Sequence, residues 1–302
     1  MRVKIPRSLV DESHPQFDVL MRIRDDLITR AGGLQVIQRE IPEMLREAID
    51  DVIQTPRTGR RSYEELEKTE KSYIGTRVEI MIRSFFRLPK GKLDLKILDM
   101  DVDVKFTIGA NWMMPREVLG HPCLLLAADE RRSLAFFGLF VADEAYLSEG
   151  SNQDKKKTIS ADGFGSILWL IEGLPLPQNF WRAISSEAAH RIFSHQTGNE
   201  RVMELFRLVT ERPIPRAVVE ATARQKDFMR RIRADAGRGT RDLLLSEGIL
   251  LLSGKYDADL IEKLGLCAVG PSEFISYAKA ASGAVAISEV DTDSKSPEMK
   301  LL

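Results

Sequence analysis

Only two cysteines, Cys123 and Cys267, occur in 302 residues. So far apart, they exclude a cysteine-based metal cluster and lead us to expect a reducing, cytoplasmic setting. No stretch approaches the run of roughly 18 apolar residues that a membrane helix needs, so no membrane partner is expected. The opening Met1-Arg2-Val3-Lys4-Ile5-Pro6 lacks an apolar core followed by a small-residue cleavage site and does not read as a secretory signal. A Gly-x-x-x-x-Gly-Lys-Ser/Thr loop is missing, which argues against an ATP-driven step. Excess charge of one sign is missing too: 44 basic residues meet 45 acidic ones, a net of −1. Total charge therefore does not announce nucleic-acid binding. Internal repeats and low-complexity tracts are likewise absent.

What remains is an ordinary globular composition, 43% hydrophobic and 29% charged, long enough for two domains. The charge is unevenly spread. Residues 201–241 hold eleven Lys or Arg against five Asp or Glu, a local net of +6. That balance suits a nucleic-acid contact and equally a solvated, salt-bridged helical surface.

Helical spacing fills residues 16–54, with Gly32-Gly33 ending the first helix and Pro42 placed at the first turn of a later one. Ser62 with Glu65 three residues on has the form of a capping box opening a short helix. From Gly75, Val78, Met81, Ile82, Phe85 and Phe86 form an apolar stripe that Leu88-Pro89 ends. Strict alternation follows in Leu93, Leu95, Ile97 and again in Met100, Val102, Val104, Phe106, predicting a hairpin. Residues 123–128 and 134–142 predict a second hairpin, buried on both faces. Helices, a strand meander and further helices make an α/β or α+β first domain. Leu174-Pro175-Leu176-Pro177 is the candidate linker. Beyond it the pattern is mostly helical until Ile249-Leu250-Leu251-Leu252, and the polar stretch from Glu289 is expected to be disordered.

The first hairpin carries the sharpest chemical signal. Asp101, Asp103 and Lys105 share one face of its second strand. Facing the apolar rows toward one core pairs Leu95 with Val102 and Ile97 with Met100. Asp94 then lies across from Asp103, with β-carbons about 4.5–5.5 Å apart. The turn becomes Leu98-Asp99, a poor two-residue turn, so a wider tip is expected. Opposed carboxylates repel unless a divalent cation joins them, and hard oxygen ligands suit Mg2+. Lys105 is placed to orient a water and stabilise developing charge, while Glu79, beside its helix's apolar stripe, is placed to point at the same site. Such parts support phosphodiester hydrolysis with one metal or two. The alternative is a polar strand face on which Lys105 merely pairs with Asp103 or Asp94.

Elsewhere the residues leave two readings open. Residues 216–225 and 228–234 read as two helices joined by a tight turn, with residues 249–252 as a wing strand. Either they form a helix-turn-helix, with Arg224, Lys226, Arg230, Arg231 and Arg233 meeting DNA, or an ordinary pair with a basic face. Lys155-Lys156-Lys157, in the polar loop 151–160, either embraces a DNA backbone or solubilises a loop. His190 and His195 stand five apart, not the four of the zinc-protease motif, and with His121 read as structural or surface residues. Trp112 either reaches a groove or anchors its loop.

Several short blocks fall in order along the chain: Glu67-Lys68-Thr69-Glu70-Lys71, Gly75-Thr76-Arg77-Val78-Glu79-Ile80, Val102-Asp103-Val104-Lys105-Phe106, Trp112-Met113-Met114-Pro115, Gly120-His121-Pro122-Cys123-Leu124-Leu125 and Arg201-Val202-Met203-Glu204-Leu205-Phe206-Arg207. In them the sequence resembles the NaeI family of type IIE restriction endonucleases, over about residues 55–280. The resemblance implies a PD-(D/E)xK nuclease core, a mixed sheet flanked by helices, over residues 1–173. After a linker at 174–180 it implies a mostly helical winged helix-turn-helix DNA-binding domain at 181–288, then a tail at 289–302. It implies Mg2+ dependence, homodimers cutting both strands of double-stranded DNA, and activation by a second DNA site. A cognate DNA methyltransferase is a further expected partner. By motif position Glu79, Asp94, Asp103 and Lys105 inherit the active-site roles. Val104 stands where family members often carry cysteine, and its carbonyl is placed to join Glu79, Asp94 and Asp103 around the metal. Two other readings are a nicking or repair nuclease like the MutH group, and a DNA-binding regulator with an inert nuclease domain. The intact acidic set argues against the second of these.

Overall fold

The structure, a computed structural model, describes residues 8–108, 111–224, 232 and 239–278. The chain divides into two compact units, Met1–Ser185 and Ser186–Leu302.

In the first unit, α1 (Phe17–Ala31) buries Leu20, Ile23 and Leu27 at helical spacing. It stops where Gly32 turns left-handed at φ 82°, and the Gly32 and Gly33 N–H groups donate to the carbonyls of Thr29 and Ile28. α2 (Leu34–Ile53) runs unbroken through Pro42, where the sequence suggested a fresh start. The proline removes one ladder hydrogen bond, a loss of about 3 kcal/mol in a helix interior. Ile41, Leu45, Ile49 and Ile53 are buried on the same helix, each contributing about 1.5–3 kcal/mol, so burial outweighs the break. α3 (Thr55–Thr58) is a single turn.

Ser62 and Glu65 do meet, Oγ to Oε1 at 2.9 Å, yet the result is only a 3-10 turn, Tyr63–Glu65. The effective cap comes later. Glu70 accepts from the Glu67 N–H at 2.9 Å, opening α4 (Lys68–Phe85) as one helix rather than a short one and then another from Gly75.

The strands are β1 (Leu95–Ile97), β2 (Met100–Thr107), β3 (Met113–Met114), β4 (Pro122–Asp129), β5 (Leu134–Val141), β6 (Lys157–Thr158) and β7 (Leu168–Pro175). Five of them form a sheet in the order β1-β2-β4-β5-β7, and β3 pairs with β6 as a small ribbon. The β1–β2 register is Leu95↔Val102 and Ile97↔Met100, as the apolar rows require. Its tip is not widened: Leu98 and Asp99 both take positive φ, 49° and 65°, and close the hairpin in two residues. The β4–β5 hairpin is buried along β4 and along β5 apart from its end residues Leu134 and Val141, as expected for strands covered on both faces.

A meander was expected, but β2 and β4 run parallel, with Asp103 beside Cys123. Alternation reveals a strand without its direction. The stretch between Thr107 and Pro122 is long enough to return the chain to the sheet's starting end. Trp112 anchors that crossover, buried and donating from Nε1 to the Leu126 carbonyl at 2.8 Å. The expected linker, residues 174–180, belongs to the first unit: Pro175 pairs with Leu134 and Leu176 is buried.

Helices α1, α2 and α4 cover one sheet face, packing on Val102, Val104, Leu124, Leu126 and Phe137. Trp112, Met114, Val118, Phe140 and Ile167 cover the other around Cys123 and Leu125.

The second unit comprises α5 (Ser186–Ser194), α6 (Gly198–Leu208), β8 (Ile214–Pro215), α7 (Arg216–Ala223), α8 (Thr240–Ser246), β9 (Ile249–Ser253), α9 (Ala258–Lys263) and β10 (Glu273–Ala278). Thr197 and Glu200 form a capping box at the start of α6. The three strands pair antiparallel in the order β8-β10-β9. α7 and β9 occupy the places expected for the first helix of the pair and the strand at 249–252. The second helix expected, 228–234, lies outside the described residues except for the buried Ile232. The expected tail at 289–302 lies outside them as well. Among the described residues no helix is long and apolar enough to cross a membrane.

Candidate active site

Asp103 points from the middle of β2 and is only 5% exposed. Lys105, two residues on along the same face, places Nζ 2.6 Å from Asp103 Oδ2. This ion pair is the contact the buried oxygen makes, and no other hydrogen-bond donor among the described residues reaches it. Burial pushes the Asp103 carboxyl up to about 6, against the pull of Lys105, and the negative charges of Asp94 and Glu117 add to the rise.

Asp94 stands immediately before β1, where the hairpin register carries it toward Asp103. Its Oδ2 accepts the Val104 backbone N–H at 2.7 Å. The Val104 side chain is buried in the helix-side core. Glu79 projects from α4, whose Val78 and Ile82 are buried. Its carboxyl is raised by burial and then by Asp94, with Arg83, Lys90 and Lys105 opposing. It lies within electrostatic reach of the pair, while its direct contact is Arg83 Nη1 at 3.4 Å.

The structure therefore brings Asp94, Asp103, Val104 and Lys105 together and leaves Glu79 at the margin. Among the described residues, no three His, Cys, Asp or Glu side chains converge as a ready-made metal cage. Mg2+ seldom needs one, being held by one or two carboxylates, waters and substrate phosphates. The buried carboxyl of Asp103, within electrostatic reach of Asp94, is of the hard-oxygen type that such a cation takes.

Two acidic residues escaped the sequence reading of the site. Asp101 was placed on the charged face without a task, yet its Oδ1 accepts the Lys92 N–H at 2.6 Å and fastens the loop ahead of Asp94. Glu117, in the 3-10 turn Arg116–Val118, adds its charge to that around Asp103. Neither role has a periodic signature, since both depend on where loops return.

The proposed DNA contacts are scattered. Lys155 (φ 59°) and Lys156 are held in a turn closed on Asn152. Lys157 lies in β6, its Nζ 4.0 Å from Glu144. Lys155, Lys157, Arg116 and Met114 line one cavity of about 360 Å3. Arg224 caps α7 with a left-handed φ of 52° and lies 6.0 Å from the Phe193 ring centre. Lys226, Arg230, Arg231 and Arg233 lie outside the described residues. His195 sits 3.8 Å from Glu204, in keeping with a structural place.

Comparison with known proteins places these elements. The family model described as restriction endonuclease NaeI matches residues 37–290, a span that takes in Glu79, Asp94, Asp103 and Lys105 and most of the second unit. The type II restriction enzyme NaeI of Lentzea aerocolonigenes is 36% identical over 226 residues, covering 72% of this chain and 70% of that enzyme. The chain belongs to the NaeI family of restriction endonucleases.

Proposed function

We propose that this protein is a site-specific endonuclease that hydrolyses phosphodiesters of double-stranded DNA with Mg2+, through Glu79, Asp94, Asp103 and Lys105. The observation that carries the reading is the meeting of Asp94 and Asp103 across the β1–β2 hairpin, with Lys105 Nζ 2.6 Å from a buried carboxylate oxygen. Asp94 and Asp103 would hold the cation, with Glu79 and the Val104 carbonyl completing the set. When bound, Mg2+ polarises the scissile phosphate and makes its water more acidic. Lys105 orients the attacking water and offsets negative charge developing on the phosphate. The Val104 N–H keeps Asp94 from rotating out of the site.

The second unit supports a winged-helix reading through its order: helices α5 to α7, a further helix α8, then β9 and, after α9, its antiparallel partner β10. In that reading Arg224, Lys226, Arg230, Arg231 and Arg233 contact a second copy of the target, the type IIE mode of activation. Lys155, Lys156 and Lys157 then face the backbone of the cleaved duplex, and a homodimer cuts both strands. A cognate methyltransferase would protect host sites.

The test is incubation with a large, sequence-diverse, unmethylated DNA, with Mg2+ or EDTA, beside an Asp103→Ala variant. Discrete fragments that need Mg2+ and vanish in the variant are expected, and their ends would give the recognition site. Nicks confined to one strand would favour the repair-type nuclease instead. DNA binding without cutting under any condition would sink the active-site assignment.

A further inference from the structure

Asp94 is anchored at its carboxylate by the Val104 N–H, but it precedes β1 and belongs to the connection from α4. What holds that connection decides where Asp94 stands. The Lys96 N–H donates to the Pro89 carbonyl at 3.0 Å, so the segment doubles back on the start of β1. Inside that fold, Asp101 Oδ1 accepts the Lys92 N–H at 2.6 Å. Gly91 packs so tightly that a β-carbon there would lie 2.5 Å from the Leu95 carbonyl oxygen and 2.6 Å from Asp101 Oδ1. β2 thus grips Asp94 from two points, Val104 on its side chain and Asp101 on its loop. Asp101, Asp103 and Lys105 share one strand face, so the clamp and the cation-binding carboxylate ride on the same rigid element.

We infer that Asp101 is a positioning residue: by holding the Lys92 N–H it sets Asp94 against Asp103 and so fixes the protein's affinity for the divalent cation. This rests on the reading of Asp94 and Asp103 as the cation-binding pair. Its task requires an acceptor oxygen, not a charge. Outer-shell groups that orient metal ligands typically weaken binding by roughly 10–100-fold when removed.

The experiment titrates Mn2+ against the full chain and reads bound metal from loss of the free-ion EPR signal. The half-saturating Mg2+ for DNA cleavage and the melting temperature are followed in parallel. Asp101→Ala is expected to weaken Mn2+ uptake and raise the half-saturating Mg2+ by roughly 10–100-fold, with a cooperative melt retained. Asp101→Asn keeps the acceptor and is expected to stay near wild type in both. Gly91→Ala, which pushes the same clamp open from the other side, should behave like Asp101→Ala, and it decides the matter if Asp101→Ala does not fold. Wild-type Mn2+ uptake in Asp101→Ala, with uptake abolished in Asp103→Ala, would overturn this inference alone. So would equal damage from Asp101→Asn and Asp101→Ala, which would make the charge rather than the clamp responsible. Unchanged uptake in Asp103→Ala would instead overturn the cation-binding pair, and the inference with it.

Discussion

Ionised Asp103 works against the fold that holds it. Its carboxyl is raised from 3.8 to about 6, chiefly by burial, so the metal-free fold favours the neutral form more than the unfolded chain does. The stability that preference supplies is fully present below the unfolded value near 4 and is lost as pH rises through about 6. Asp103→Asn, uncharged at every pH, should therefore stabilise the metal-free protein at pH 8 by roughly 1–3 kcal/mol and leave it unchanged near pH 3.5, while abolishing cleavage. Denaturant unfolding at both pH values checks this; an equal effect at the two would show that the burial penalty is absent. The same group makes the cation compete with a proton. Cation affinity should fall steeply below about pH 6, approaching tenfold for each pH unit, in Mn2+ titrations from pH 5 to 7. Arg201 shows the opposite use of burial. Its guanidinium donates to the carbonyls of His195, Gln196, Thr222 and Ala223, joining the end of α5 to the end of α7. Arg201→Met should destabilise the second unit by about 2–4 kcal/mol through those stranded acceptors, seen as an earlier melt.

The β1–β2 hairpin sets local turn chemistry against long-range packing. Leu98 and Asp99 both sit at positive φ, the geometry that Asn-Gly supplies without strain. A non-glycine residue held there costs about 1–2 kcal/mol. Replacing the pair by Asn-Gly should raise stability by about 1 kcal/mol without moving Asp94 or Asp103, so the denaturation midpoint rises while the half-saturating Mg2+ stays fixed. A lower midpoint would mean that the half-exposed Leu98 contributes packing that outweighs the strain. This tip also shows why the sequence was legible in one respect and not another. Two apolar rows with a period of two permit a single register, so Leu95↔Val102 and the approach of Asp94 to Asp103 could be read directly. The turn was misjudged because residue preference is a weak, local term, and the buried rows override it. Pro42 inside α2 is the same conflict with the same winner. The parallel β2–β4 pairing and the Asp101 clamp were out of reach for another reason. Each depends on the path of an irregular connection, which leaves no periodic trace. Nor could residue types alone separate a catalytic Asp-x-Lys from a polar strand face; the ordered blocks shared with the NaeI family favour the first reading, and the Asp103→Ala cleavage test decides it.

At the scale of the whole molecule, balanced charge conceals a division of labour. Residues 201–241 carry +6 in a chain whose net charge is −1, so the rest carries −7. Part of that basic stretch is structural: Arg201 binds backbone carbonyls, Arg207 pairs with Glu204 and Glu247, and Arg241 with Asp257. These three are committed within the second unit, and the stretch holds eight further cations, of which Arg212, Arg216 and Arg224 also make contacts. In the proposed second DNA site some of those eight neutralise phosphates, and the salt dependence of binding counts them. Each phosphate contact contributes about 0.9 to the slope of log affinity against log salt. Replacing Arg230, Arg231 and Arg233 together by alanine should lower the magnitude of that slope by about 2 to 3, measured by binding of double-stranded DNA in EDTA between 50 and 200 mM salt (about a fourfold range). Mn2+ uptake at Asp94 and Asp103 should be untouched, because both lie in the first unit. An unchanged slope would show that these arginines form only a solvated face and remove them from the DNA contact. A reduced slope together with lost Mn2+ uptake would show that the substitutions act by unfolding rather than by removing phosphate contacts. Only the reduced slope with uptake intact separates a unit that grips DNA phosphates from a merely solvated basic surface.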